Sequence, residues 1–163
     1  MLHIRNEAPA KNRSVVIRFC VVLGFLCINH SSTIAAQTKG NPKDIIIIAN
    51  KKVPENSLNR QIVRDMFLKV RTAWGNGKRV TPINPKDEQL RNDFRNSVLI
   101  MDKTAEQRYW EEQKVKSGLS KPPDMTNNVK AVFKLVGAIS YVYRMDLPGD
   151  VAKVLLVIPA NEN

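Results

Sequence analysis

Apolar and polar positions follow two different periods along this chain, and the alternation between them sets the element order. Within residues 44–49 (DIIIIA) a β-branched apolar run follows Pro42 and stops at Asn50. A run without polar interruption reads as a strand buried on both faces. After the turn at 53–56, Ser57 is placed to cap a helix. Leu58, Ile62, Val63, Met66, Phe67 and Val70 then recur at helical spacing, with Arg60, Arg64, Asp65 and Lys69 on the other side. This predicts an amphipathic helix over about residues 58–69. Residues 71–78 (RTAWGNGK) read as a turn, and 79–84 (RVTPIN) as a strand that Pro82 pushes toward a sheet edge.

Leu90, Phe94 and Val98 form the stripe of a second helix. Thr104-Ala-Glu-Gln107 fits a capping box opening a third, which runs to about Lys116 with Tyr109 and Trp110 in it. Residues 117–124 (SGLSKPPD) are a loop by composition. A fourth helix is expected from Thr126, with Val129, Val132, Phe133 and Val136 inward and Gly137 in the left-handed position past its end. Residues 138–143 (AISYVY) and 153–158 (KVLLVI) read as strands. The expected fold class is α/β, a mostly parallel sheet flanked by helices. In such sheets ligands gather at the carboxyl ends of strands, here the segments 50–57, 83–87 and 140–144.

The first 36 residues have another character. Arg5, Lys11, Arg13 and Arg18 stand against Glu7 alone, and residues 19–28 (FCVVLGFLCI) are apolar before a small, polar exit. A basic region, a short apolar core and small residues form a secretory signal. Cleavage after Ala36 fits, with Ile34 and Ala36 at the two specificity positions; cleavage after Ala35 fits nearly as well. A membrane anchor is the rival reading, but a span needs roughly 20 apolar residues, and Arg18 cuts this run short. Neither Cys20 nor Cys27 follows a lipidation pattern. The expected organisation is a signal peptide over 1–36 and one domain over 37–163, exported to the periplasm or secreted, with no membrane span after cleavage.

Removing the signal changes the charge and the chemistry. Residues 37–163 hold 22 basic and 14 acidic side chains, a net of +8, which suits anionic partners. His3, His30, Cys20 and Cys27, the only such residues, all lie in the signal. The domain therefore has no imidazole base, no thiol and no zinc site of the usual ligands. An all-carboxylate metal site or a Ser–Lys pair remains open. No catalytic constellation emerges, and neither an enzyme nor a cofactor is expected. The cations are spread over all the helices, which argues against a nucleic-acid groove binder. Glu111 and Glu112 lie about 100° apart on a helix and suit a solvated face. Trp74, Trp110, Tyr109, Tyr141 and Tyr143 read as core in preference to a stacking platform.

Three segments together resemble one family. Residues 45–84 are similar to the stretch of phosphate-binding proteins of ABC uptake systems in which a strand enters a lobe. The matching positions are Leu58, Ile62, Met66, Phe67, Leu68, Trp74 and Val80. Arg91-Asn-Asp-Phe94 resembles part of the next helix, and Gly137-Ala-Ile-Ser-Tyr-Val142 resembles the family's Gly-Ala-Ile-Gly-Tyr-Val strand. The resemblance covers about residues 43–158. It implies a short type 2 periplasmic binding protein holding about one lobe of the usual two.

The resemblance also implies a ligand, phosphate or another small oxyanion, and nominates Arg91, Lys86, Ser140 and backbone donors near Asp87 and Gln89. Each has a plainer reading: a solvated helix arginine, a surface lysine, a strand filler. The family has Ser-Gly-Thr before the arginine, whereas this chain has Asp87-Glu-Gln-Leu90, whose carboxylates repel phosphate. A single lobe also desolvates less of a ligand. Two functions are thus weighed: a non-catalytic oxyanion-binding protein of an ABC transporter, or a cationic module that docks an envelope or transporter protein without a small ligand.

Overall fold

The computed structural model describes residues 40–147, 149 and 152–160, which belong to the unit 37–163. The segment read as a signal lies outside the described residues.

The central strand is β1 (Ile45–Ala49), buried along its whole length. It lies between β5 (Ala138–Tyr143) and β6 (Lys153–Ile158), antiparallel to both, and β2 (Thr81–Pro82) adds to the far edge of β5 in parallel. A second, two-stranded parallel sheet pairs β3 (Asn84–Pro85) with β4 (Asp124–Met125). The sheet is therefore mixed, and the expectation of a mostly parallel sheet is corrected. A continuous apolar run reports burial on both faces and carries no information on strand direction. The α/β class and the flanking helices stand. Pro82 sits in an edge strand, as its missing N–H requires.

Side chains alternate along β1 and β5, so the two faces build two cores. Ile45, Ile47, Ala49, Ile139, Tyr141 and Tyr143 face the larger one, with α1 (Arg60–Phe67), α2 (Glu88–Phe94), the π-helical turn Arg95–Leu99 and α3 (Lys103–Ser117). Ile46, Ile48, Ala138 and Val142 face the smaller one, with Val132 of α4 (Asn128–Lys134). In the larger core Phe94 stacks on Tyr141 with ring centroids 3.8 Å apart, and Phe67 meets both edge-on. Trp74, Trp110, Tyr141 and Tyr143 are buried, as their pattern suggested, and Tyr109 packs half-buried against the same core.

The helix starts shift for local reasons. Leu58 N still donates to Leu155 O at 2.9 Å, so α1 cannot begin at Ser57; Asn59 caps it instead, accepting from Ile62 N. Asp102 caps α3 by accepting from Ala105 N at 2.7 Å, two residues before the expected Thr104. Helix α4 starts at Asn128 under the cap Asn127 and ends at Lys134. Val136 therefore lies past the helix, and Phe133 lies one position round from Val132; both are exposed.

Gly137 is left-handed (φ +85°), and a Cβ there would lie 2.4 Å from Arg79 O. Its carbonyl accepts from both Trp74 Nε1 and Thr81 N at 2.9 Å, joining the 71–79 turn to the sheet. The left-handed penalty and the backbone clash act together, so Gly137→Ala should lower stability by about 2 kcal/mol or more in urea titration. A variant within about 0.5 kcal/mol of the parent would contradict this placement.

Candidate functional site

The residues that the resemblance nominates fall into two places. Lys86, Asp87, Gln89 and Arg91 surround the start of α2. Asp87 caps the helix, its carboxylate accepting from Leu90 N at 3.0 Å. Lys86 is exposed, and Gln89 donates to Asp93 at 2.9 Å on the outer face. Arg91 is largely buried and lies 3.5 Å from Glu88 and 3.4 Å from Asp124. Ser140 is elsewhere. It is fully buried on β5, where its hydroxyl donates to Ile83 O and accepts from Asn128 Nδ2, holding α4 to the sheet. Asn50, in another of the segments expected to gather ligand, donates to the carbonyls of Val132 and Phe133 at the end of α4.

One turn beyond Arg91, Arg95 organises the electrostatics. It is 3% exposed, and its guanidinium donates to Glu106, Asn92 and Glu88. Burial works against its charge, but the bonds to Glu106 and Glu88 outweigh that and raise its pKa above the ordinary arginine value. Glu88 is gripped by Arg95 at 3.0 Å, Lys103 at 3.2 Å and Arg91 at 3.5 Å. The Arg95 hydrogen bond is the main reason its carboxyl pKa falls below the usual range. The two carboxylates expected to repel an anion are thus already committed, Asp87 to the helix cap and Glu88 to three cations.

Between α2, α3 and the loop 118–123 lies a cavity of about 430 Å³. Arg91, Arg95, Lys103, Lys114 and Lys121 line it against the acids Glu106 and Glu111, so its walls are net cationic. Trp110 supplies an apolar wall. Among the described residues no acceptor reaches its buried indole N–H. Asp124 bridges Lys121 (3.0 Å) and Arg91 (3.4 Å) just behind the cavity. Chemically, this arrangement offers an anion ammonium and guanidinium donors beside an apolar surface. Among the described residues no group of three or more His, Cys, Asp or Glu side chains gathers that would hold a metal ion. No helix among them is long and apolar enough to cross a membrane.

This fold is that of part of a phosphate ABC transporter substrate-binding protein, in agreement with the resemblance of the three sequence segments. Two solved structures carry the likeness. One is a phosphate ABC transporter substrate-binding protein from Clostridium perfringens with bound phosphate. It is 21% identical with a TM-score of 0.50, over 68% of this chain and 43% of that one. The other is an ABC-type phosphate transport receptor from Vibrio cholerae, 12% identical with a TM-score of 0.50, over 68% of this chain and 44% of that one. This chain thus spans less than half the length of either. No protein-family model matches it, and no curated protein matches it.

Sequence reasoning found Arg91 but missed Arg95, Trp110 and Lys121 as neighbours in one cavity. Arg95 stands four positions after Arg91, a spacing that puts both on one helix face and was readable. Its pairing with Glu106 was not, because the π-helical turn and the Ile100 reversal (φ 53°) separate them.

Two outcomes test these electrostatics. Arg95→Met leaves Glu106 buried without its partner and should cost about 3 kcal/mol in denaturant titration; Arg95→Met with Glu106→Leu should recover a large part. Because the folded pKa of Glu88 is depressed, its contribution is present above the unfolded value near 4.3 and is lost as pH falls through the lower folded value. Glu88→Gln should therefore unfold more easily than the parent at pH 7, with the gap closing as pH falls below the unfolded value. A gap unchanged across that window would contradict the cation grip on Glu88.

Proposed function

We propose that this chain is an exported, non-catalytic binding-protein domain that recognises a small oxyanion of the phosphate class in the cavity beside α2. The observation that carries the reading is the cavity itself. It sets five cationic side chains against two carboxylates in a domain that has the fold of phosphate-transport binding proteins. Arg91, Lys103, Lys114 and Lys121 are the contacts expected to hold the anion. Asp87 and Gln89 shape the start of α2, Lys86 adds positive potential beside it, and Ser140 positions the strand behind it. Arg95 serves by keeping Glu88 and Glu106 in place. The signal-like pattern of residues 1–36 supports export to the periplasm or outside the cell. Its partner would be a transporter or another envelope protein.

Arg91 is shared between Glu88 and Asp124, so an incoming anion must compete with two internal carboxylates. Competition of this kind makes weak, selective binding the expected behaviour. A ligand that binds only the folded state raises the unfolding midpoint by mass action. The purified protein should show a selective rise with one of phosphate, sulfate or a related oxyanion at millimolar concentration and fixed ionic strength. Arg91→Ala should abolish that rise. A midpoint that moves equally with every salt, or a rise that survives Arg91→Ala, would overturn the site and favour the docking module, whose mark is salt-sensitive co-purification with an envelope protein.

A further inference from the structure

A second cavity, of about 330 Å³, lies under the turn that joins α1 to β2. Its cations are Lys69, Arg71 and Arg79, and no carboxylate lines it. The Arg91 cavity carries carboxylates among its own walls, whereas this one has cations and none. Arg71 reaches Glu55 outside the cavity at 3.5 Å. Arg79 has no carboxylate partner among the described residues. Lys69 is the telling residue. It occupies the left-handed position after α1 (φ 57°), where helices ordinarily place glycine. That turn is held by Val70 N and Arg71 N donating to Asp65 O at 2.8 and 3.0 Å. The Lys69 side chain lines this cavity, and its ammonium donates to Ser120 O and lies 5.9 Å from the Trp110 ring centroid, both residues of the adjoining Arg91 cavity. Burial, and then repulsion from Arg79, lower its pKa from the ordinary lysine value. Lys69 thus brings its charge to the boundary of the two cavities.

The remaining walls refine the chemistry. Thr72 and Thr81 bring two hydroxyls with no hydrogen-bond partner among the described residues, and Met66, Val80, Pro82, Leu119 and Pro123 make the rest apolar. We propose that this cavity binds a phosphate monoester carrying a small apolar group, with Lys69, Arg71 and Arg79 as its cations and Thr72 and Thr81 as hydroxyl donors. The site is separate from the Arg91 cavity and does not depend on the function proposed for it. Leu119 of the 118–123 loop lines both cavities.

The test is a titration of the isotopically labelled protein followed by amide NMR, with inorganic phosphate and phenyl phosphate as probes at constant ionic strength. The expected result is saturable shifts at the amides of residues 69–72 and 79–81. Phenyl phosphate should bind about tenfold more tightly than phosphate, because its ring buries against the apolar walls. Arg79→Gln should weaken it at least about tenfold. Lys69→Asn, which tolerates the left-handed backbone, should do the same; the spectra themselves report whether each variant is folded. Shifts confined to residues around Arg91 and Lys121 would overturn this site while supporting the other. Shifts at 69–72 that both variants leave unchanged, or no shifts at all, would overturn it outright.

Discussion

Four isoleucines in succession, Ile45 to Ile48, can be buried only in a strand that is paired along both edges and covered on both faces. Everything else in the domain answers that requirement. β5 and β6 satisfy the two edges of β1, and the alternating side chains divide the interior into two cores of unequal size. The larger face takes α1, α2 and α3. The smaller takes the short α4, which is too brief to hold itself by apolar contact alone. Buried polar ties complete that side: Asn50 to the carbonyls at the end of α4, and Asn128 to Ser140 and Tyr141 O. A polar group in such a place stabilises only while it is fully satisfied, so these residues serve the architecture first.

The same architecture fixes the electrostatics. Helix α2 and its π-helical extension place Arg91 and Arg95 against three acids, Glu88 at the start of α2 itself, Glu106 on α3 and Asp124 on β4. The result is a cationic cavity whose deepest charges are compensated and whose rim charges, Lys103, Lys114 and Lys121, remain solvent-facing. Any anion that enters exchanges with internal carboxylates. Selectivity in such a site rests on geometry and on the apolar Trp110 wall more than on net charge. The second cavity differs in having no carboxylate among its lining residues.

Much of this was legible in the sequence, for identifiable reasons. Strand β1, the stripe of α1, the edge role of Pro82 and the left-handed Gly137 each follow from local chemistry. The family resemblance of residues 45–84, 91–94 and 137–142 pointed to the lobe that the fold shows. Strand direction was not legible, since burial on both faces is the same for parallel and antiparallel neighbours. The helix starts moved because tertiary bonds, Leu58 to Leu155 above all, extended the strand-like chain past Ser57. On the site, Arg91 could be read from its neighbours in sequence. Its company could not, because Trp110 and Lys121 reach it only through the turn at Ile100 and the loop after Gly118. Ser140 was nominated by the resemblance, with filling a strand as its plainer reading; two partners that only the packed α4 and the chain at Ile83 supply occupy its hydroxyl.

The central claim is that this domain holds an oxyanion where the cations of the α2–α3 cavity converge. The most direct measurement is an anomalous difference map from crystals of the protein soaked in selenate, a heavy analogue of the small oxyanions. The account predicts a peak inside the α2–α3 cavity within hydrogen-bond reach of Arg91 or Lys121. A map with no peak there, or with anion only at lattice contacts, would contradict it.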